Sequence, residues 1–184
     1  MPNWAFSNYV IEGDTNQLQS LYERMKVLEE MKEPLAANGF GSNWLGCLVE
    51  DFGENYQHYS CRGSWSDLSF DGNLLRFNTE TAWYRCTEVE DLIREKYPDI
   101  VINFYCEEGG MGIYETNNRS FFPDEVILYI DDEYKYGTQE DIIDILSDFL
   151  QIDVDDLEQA KSLIVDYNED NEDNEIYLHE IELV

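Results

Sequence analysis

The spacing of apolar residues switches between two periods along this chain, and each switch marks an element. Phe6 to Glu12 alternates as a strand does and closes at Gly13. Leu18, Leu21, Tyr22, Met25 and Leu28 then recur at helical spacing behind Asp14 or Thr15, either of which can cap a helix. One apolar stripe predicts a helix laid on something flat, such as a sheet. Trp65–Phe70 and Asn73–Asn78 flank Asp71-Gly72, and Asp-Gly suits a two-residue type I′ turn in which both central residues take positive φ. That turn predicts 70 opposite 73, 68 opposite 75 and 67 opposite 76. Phe70, Leu68, Leu75 and Phe77 then share a face, and Asp67 meets Arg76 on the other. Thr87 with Glu90 three residues on reads as a capping box, followed by the stripe Val89, Leu92, Ile93, Tyr97 and a stop at Pro98. Ile100–Cys106 is apolar on both faces, as an interior strand is.

The predicted order is therefore β-α-β-β-α-β. The fold class is α+β, with a ferredoxin-like antiparallel sheet carrying its helices on one face. Met111–Glu115 and Glu125–Ile130 read as extra strands. Thr138 and Asp153 read as caps of two further helices, with stripes Ile142, Leu146, Phe149 and Leu157, Ala160, Ile164. Ile176–Leu183 reads as a last strand. The expected domains are residues 1–130, a ferredoxin-like core with its extra strands, and residues 131–184, an acidic helical extension packed on the same domain. Residues 33–63 show no sustained period. Pro34, Gly39, Gly41, Gly46 and Gly53 interrupt them, and only a helical turn near Trp44–Val49 is legible.

Charge narrows the partners. Forty-one acids face 11 bases, a net −30, and residues 131–184 alone hold 19 acids and two bases. A phosphate-binding surface needs clustered Lys and Arg, so direct binding of nucleic acid is disfavoured, as is an anionic membrane. A basic protein or a metal cation is permitted by the charge, and solubility alone also accounts for it. No basic segment followed by an apolar run opens the sequence, and no stretch approaches ~18 apolar residues, so a cytoplasmic chain without a membrane span is expected. The four cysteines, 47, 61, 86 and 106, contain no CxxC pair, so reduced thiols are expected, with no metal and no cofactor.

Candidate chemistry is sparse, and no catalytic residue is assigned. Glu107 and Glu108, before Gly109-Gly110, end the interior strand. Carboxylates there can do acid–base work or hold a cation, but neighbouring strand residues face opposite ways, and an acidic turn is the plainer reading. Trp83 and Arg85, with Thr81 and Tyr84, can line a pocket beside them, although a Trp after a strand more often covers the sheet's end. Asp166, Asn168, Asp170 and Glu172 begin like a calcium loop, yet Asn171 and Tyr177 stand where Gly and Glu belong. The two histidines are His58 and His179. Cys61 lies three residues from His58, which is weak support for a Cys–His pair.

Met1-Pro2-Asn3-Trp4, the strand closing at Gly13, Thr79-Glu80-Thr81-Ala82-Trp83, Tyr97-Pro98-Asp99 and Glu107-Glu108-Gly109-Gly110 resemble the YubB-like family of plasmid and phage proteins. The likeness covers residues 1–32 and 64–116. It departs at Tyr84-Arg85-Cys86, where the family often has prolines, and at Gly109, where it often has Pro. The resemblance implies a ferredoxin-like fold and a bacterial or mobile-element origin, and it adds little about activity. Two functions follow as expectations. The first is an acidic, non-catalytic interaction protein that binds a basic protein partner, with DNA mimicry as its sharpest version. The alternative is a small-molecule-binding protein or enzyme with a pocket near Trp83 and Glu107/Glu108.

Overall fold

Alternation in the first strand orders everything around it. In the computed structural model, which describes residues 3–171 and 174–184, β1 spans Trp4–Gly13 and turns Ala5, Ser7, Tyr9 and Ile11 into the core. Trp4 and Phe6 face the other way and are exposed. α1 (Thr15–Glu29) follows. Asp14 is its cap, accepting from Gln17 N at 2.9 Å, and Leu18, Leu21, Met25 and Leu28 are buried as the stripe requires. Each fully buried side chain of this size contributes roughly 2 kcal/mol before ordering entropy is counted.

α2 (Leu45–Asp51) and a 3-10 turn at Tyr56–His58 occupy the connection that lacks periodicity. β2 (Gly63–Phe70) and β3 (Leu75–Ala82) form the predicted hairpin, with a shifted register. Phe70 pairs with Leu75 and Ser69 with Arg76, so the loop is four residues rather than two. The Asp71 carboxylate is the cause. Its Oδ1 accepts from Asn73 N at 2.9 Å and Leu74 N at 2.8 Å, while Oδ2 takes Arg76 Nη1 at 2.8 Å. A bulge between Ser66 and Ser69, with Asp67 at φ 53°, absorbs the difference. Asp67 consequently accepts from Asn78 rather than meeting Arg76.

α3 (Thr87–Lys96) starts one residue earlier than the capping-box reading needs. Cys86 is the cap and offers no side-chain acceptor, and Glu90 is drawn into a buried ion pair described below. β4 (Ile100–Glu108) completes an antiparallel set in the order β2-β3-β1-β4. Its inward residues pack with those of β1, β3 and the three helices in one apolar core.

The chain divides into two units, Met1–Ile113 and Tyr114–Val184, rather than at the charge step near residue 130. The second unit contains β5 (Ile113–Thr116, which begins at the boundary), β6 (Val126–Ile130), β7 (Glu133–Gly137), α4 (Gln139–Leu150), α5 (Leu157–Asp170), β8 (Tyr177–Glu180) and β9 (Glu182–Leu183). β7-β6-β8 is an antiparallel sheet, and β5 and β9 pair in parallel. β7 was not anticipated. It arises because Asp131 and Asp132, both at positive φ, make the tight hairpin turn that Asp71-Gly72 does not. Thr138 caps α4 with Asp141 in a capping box. Asp156, not Asp153, caps α5, accepting from Gln159 N at 2.8 Å. The molecule is thus α+β, and among the described residues there are five α-helices, none of them long and apolar enough to cross a membrane.

Candidate functional site

Trp83 follows directly on β3, and its backbone sits at φ 73°, a region that costs a bulky residue about 1–3 kcal/mol. Two bonds fix the corner: Trp83 N donates to Asn3 O at 2.8 Å, and Thr81 Oγ1 donates to Tyr84 O at 2.8 Å. The indole does not cover the sheet's end, being 48% exposed. It stands at the rim of a cleft of about 530 Å³.

The other walls come from the non-periodic connection. Phe40, Trp44, Tyr56 and Tyr59 line the cleft together with Trp83 and Tyr84, and Gln57, Ser60, Cys61, Arg62, Cys86 and Thr87 complete most of the rest of its surface. Trp44 stacks on Phe40 with ring centroids 6.3 Å apart and meets Tyr56 edge-on at 4.9 Å. Gly46 makes this possible, because a methyl group there would stand 2.3 Å from the Trp44 ring. Among the described residues, no Asp or Glu lines the cleft.

Arg85 backs the site rather than reaching into open water. Its Nη1 lies 2.5 Å from Glu90 Oε2, and its Cζ lies 3.8 Å from the Phe104 ring centroid. Tyr9 OH donates to the other Glu90 oxygen at 2.8 Å. Burial first, and the Glu90 carboxylate second, hold the Tyr9 hydroxyl well above its ordinary pKa. The charge of Arg85 is therefore largely balanced from behind. Arg62 is exposed and has no acidic partner among the described residues.

Two thiols reach the cleft. Burial pushes Cys61 up to about 11, with Cys47 and Glu88 adding to it. Burial pushes Cys86 up to about 12, with Cys61, Glu90 and Glu88 adding to it. Both are protonated at neutral pH, which makes them poor nucleophiles. His58 lies outside this cleft, in a shallower hollow with Glu54, Glu88, Asp91 and Glu95. A small cavity of about 20 Å³ lies beside Tyr9, Thr79 and Glu90, enough for one water at most.

No family model, curated protein or solved structure matches the chain.

Of the four residues singled out in the sequence, the cleft unites Trp83 and Arg85. Glu107 and Glu108 are not among its lining residues. Glu108 is buried and spends both oxygens on the following turn, accepting from Gly110 N at 3.0 Å and Met111 N at 2.6 Å. Glu107 accepts from the Tyr105 hydroxyl at 2.7 Å. The rings from residues 40–59 went unread because no periodicity places them. The signal that could have found them is the density of aromatics in a glycine-punctuated stretch. Of the residues that begin like a calcium loop, Asp166, Asn168 and Asp170 lie within α5, Asn168 brackets Ile176 through two bonds of 2.8 Å, and Glu172 lies outside the described residues. Among the described residues no group of three or more His, Cys, Asp or Glu is placed to hold a metal.

Proposed function

We propose that this protein is a non-catalytic binding protein whose N-terminal unit receives a ring-bearing ligand in the Trp83 cleft. The observation that carries it is the half-exposed, strained Trp83 set against Phe40, Trp44, Tyr56 and Tyr59. A residue kept in an unfavourable conformation without being buried does not earn its place by packing. The cleft's size falls in the range of small-molecule sites, which are lined mainly by apolar and aromatic groups with few polar ones. Its two protonated thiols favour binding over nucleophilic chemistry. The test is fluorescence titration of the full chain with indole and adenosine, since Trp44 and Trp83 report on the site. Saturable quenching, abolished in Trp83→Gly, is expected. Absence of quenching up to millimolar ligand refutes the reading.

A second reading, the basic protein partner, draws on the C-terminal unit. Residues 114–184 hold 22 acids against three bases. Tyr129 is paired directly with both Tyr134 and Tyr177, so three rings form one row across β7, β6 and β8, with centroids 4.9 and 6.1 Å from the central ring. Asp131, Asp132 and Glu175 flank the row in a hollow of about 190 Å³. Rings beside carboxylates suit the cation–π and ionic contacts of Lys and Arg side chains. Oligo-arginine should bind more tightly than oligo-lysine, and Tyr129→Ala should remove the difference. Equal affinities in the unaltered protein would count against the tyrosine row and leave only charge.

The strand order β2-β3-β1-β4 with α1 and α3 as crossovers supports the ferredoxin-like reading of the first unit. Four free, buried cysteines favour a cytoplasmic location. Mobile-element origin rests on the YubB-like resemblance alone.

A further inference from the structure

We infer that the cleft selects planar ligands that carry an anionic group, with Arg62 as the residue that reads the charge. The inference rests on the Trp83 cleft being a binding site.

In a chain of net −30, an anion is repelled almost everywhere it approaches. A site for one must be cleared of carboxylates and must keep a cation unspent. The cleft meets both conditions. Among the described residues no acid lines it, and Glu90 and Glu88, the two acids that act on its thiols, are occupied: Glu90 lies between Arg85 and Tyr9, and Glu88 accepts from Ser60 N. Arg62 has no ion pair among the described residues, although acids outnumber bases almost four to one. A guanidinium left over in such a chain offers a planar fork that fits a carboxylate or a phosphate. The aromatic walls supply the other half of the recognition, since any flat ring can stack on them.

The shared chemistry is one planar ring system bearing one anionic group, and two probe pairs separate its sources. Adenosine 5′-monophosphate against adenosine reports phosphate, and indole-3-acetate against indole-3-acetamide reports carboxylate. Calorimetric titration of the full chain at physiological salt should give at least tenfold tighter binding for one anion than for its neutral partner. Arg62→Gln should bring that pair to parity, the anion's affinity falling to that of its neutral partner. Arg62→Lys should keep part of the preference. Because Arg62 is exposed, the thermal melts of both variants should overlay that of the unaltered chain. Neutral and anionic probes binding equally would overturn the role of Arg62 and spare the cleft. An undiminished preference in Arg62→Gln would overturn it as well. No binding by any of the four probes would remove the cleft reading and this inference together.

Discussion

Trp44 folds its indole back over Gly46, so closely that a side chain at residue 46 would stand 2.3 Å from the ring. The first turn of α2 and the wall of the cleft are therefore one packing unit. Gly46→Ala is expected to displace the indole, loosen its contacts with Phe40 and Tyr56, and weaken ring binding at least tenfold. Overpacking of this kind costs typically 1–3 kcal/mol, so stability should fall by about 2 kcal/mol. Chemical denaturation measures the second effect and fluorescence titration the first. Unchanged binding in a folded Gly46→Ala protein would show that Trp44 is scenery.

Trp83 offers a test in which two variants that both lose binding differ in stability. Glycine relieves the positive-φ strain that alanine retains. Trp83→Gly should therefore be more stable than Trp83→Ala by about 1 kcal/mol, and both should lose ring binding. Equal or reversed urea midpoints would mean that the corner is not strained.

In the Arg85–Glu90 pair the Glu90 side chain is buried and that of Arg85 is only 13% exposed, and the Glu90 carboxylate also accepts from Tyr9. Breaking such a pair leaves a charge uncompensated, at a cost of about 3–5 kcal/mol. Glu90→Gln should lose about 3 kcal/mol, whereas the double change Arg85→Met with Glu90→Met should recover most of that. A loss below about 1 kcal/mol for Glu90→Gln would place the pair in effective contact with water.

Alkaline pH should unfold the first unit. An unfolded chain releases thiol protons near pH ~8.5 and tyrosine protons near ~10. The folded chain holds those of Cys61 to about 11 and of Cys86 to about 12, and that of Tyr9 well above the usual value. The folded state then binds more protons than the unfolded one, so unfolding free energy decreases as pH rises. These contributions are intact below pH ~8.5 and disappear as pH climbs through the folded values. Urea midpoints should decline steadily above pH 9, and Cys61→Ala with Cys86→Ala should make the slope shallower. An identical slope in the double variant would exclude the thiols as its source.

What could be read from the sequence follows the physics of repetition. α1 was legible because Asp14 supplies a cap and four residues form one stripe. The hairpin was legible in its pairing, since Leu68 and Leu75 do lie on neighbouring strands, but not in its register. There a single carboxylate, Asp71, outbid the turn preference of Asp-Gly by satisfying two amide groups and an arginine. The same competition moved the cap of α3 from Thr87 to Cys86. Trp83 and Arg85 were named because large or charged side chains after a strand are conspicuous. The remaining walls were not, because Phe40, Trp44, Tyr56 and Tyr59 are assembled by tertiary packing along a stretch with no local period to betray it. Glu107 and Glu108 were conspicuous too, yet their oxygens serve a neighbouring hydroxyl and a turn.

The cleft's walls come from two stretches distant in sequence: the loop-rich connection between α1 and β2, and the β3–α3 corner. An occupant touching both would act as a clasp. Opening motions of residues 33–62 would then require its release first, so amide exchange in that connection should slow in proportion to occupancy while exchange in the sheet stays as it was. Ligand chemistry and the looseness of the least regular part of the chain would be a single equilibrium.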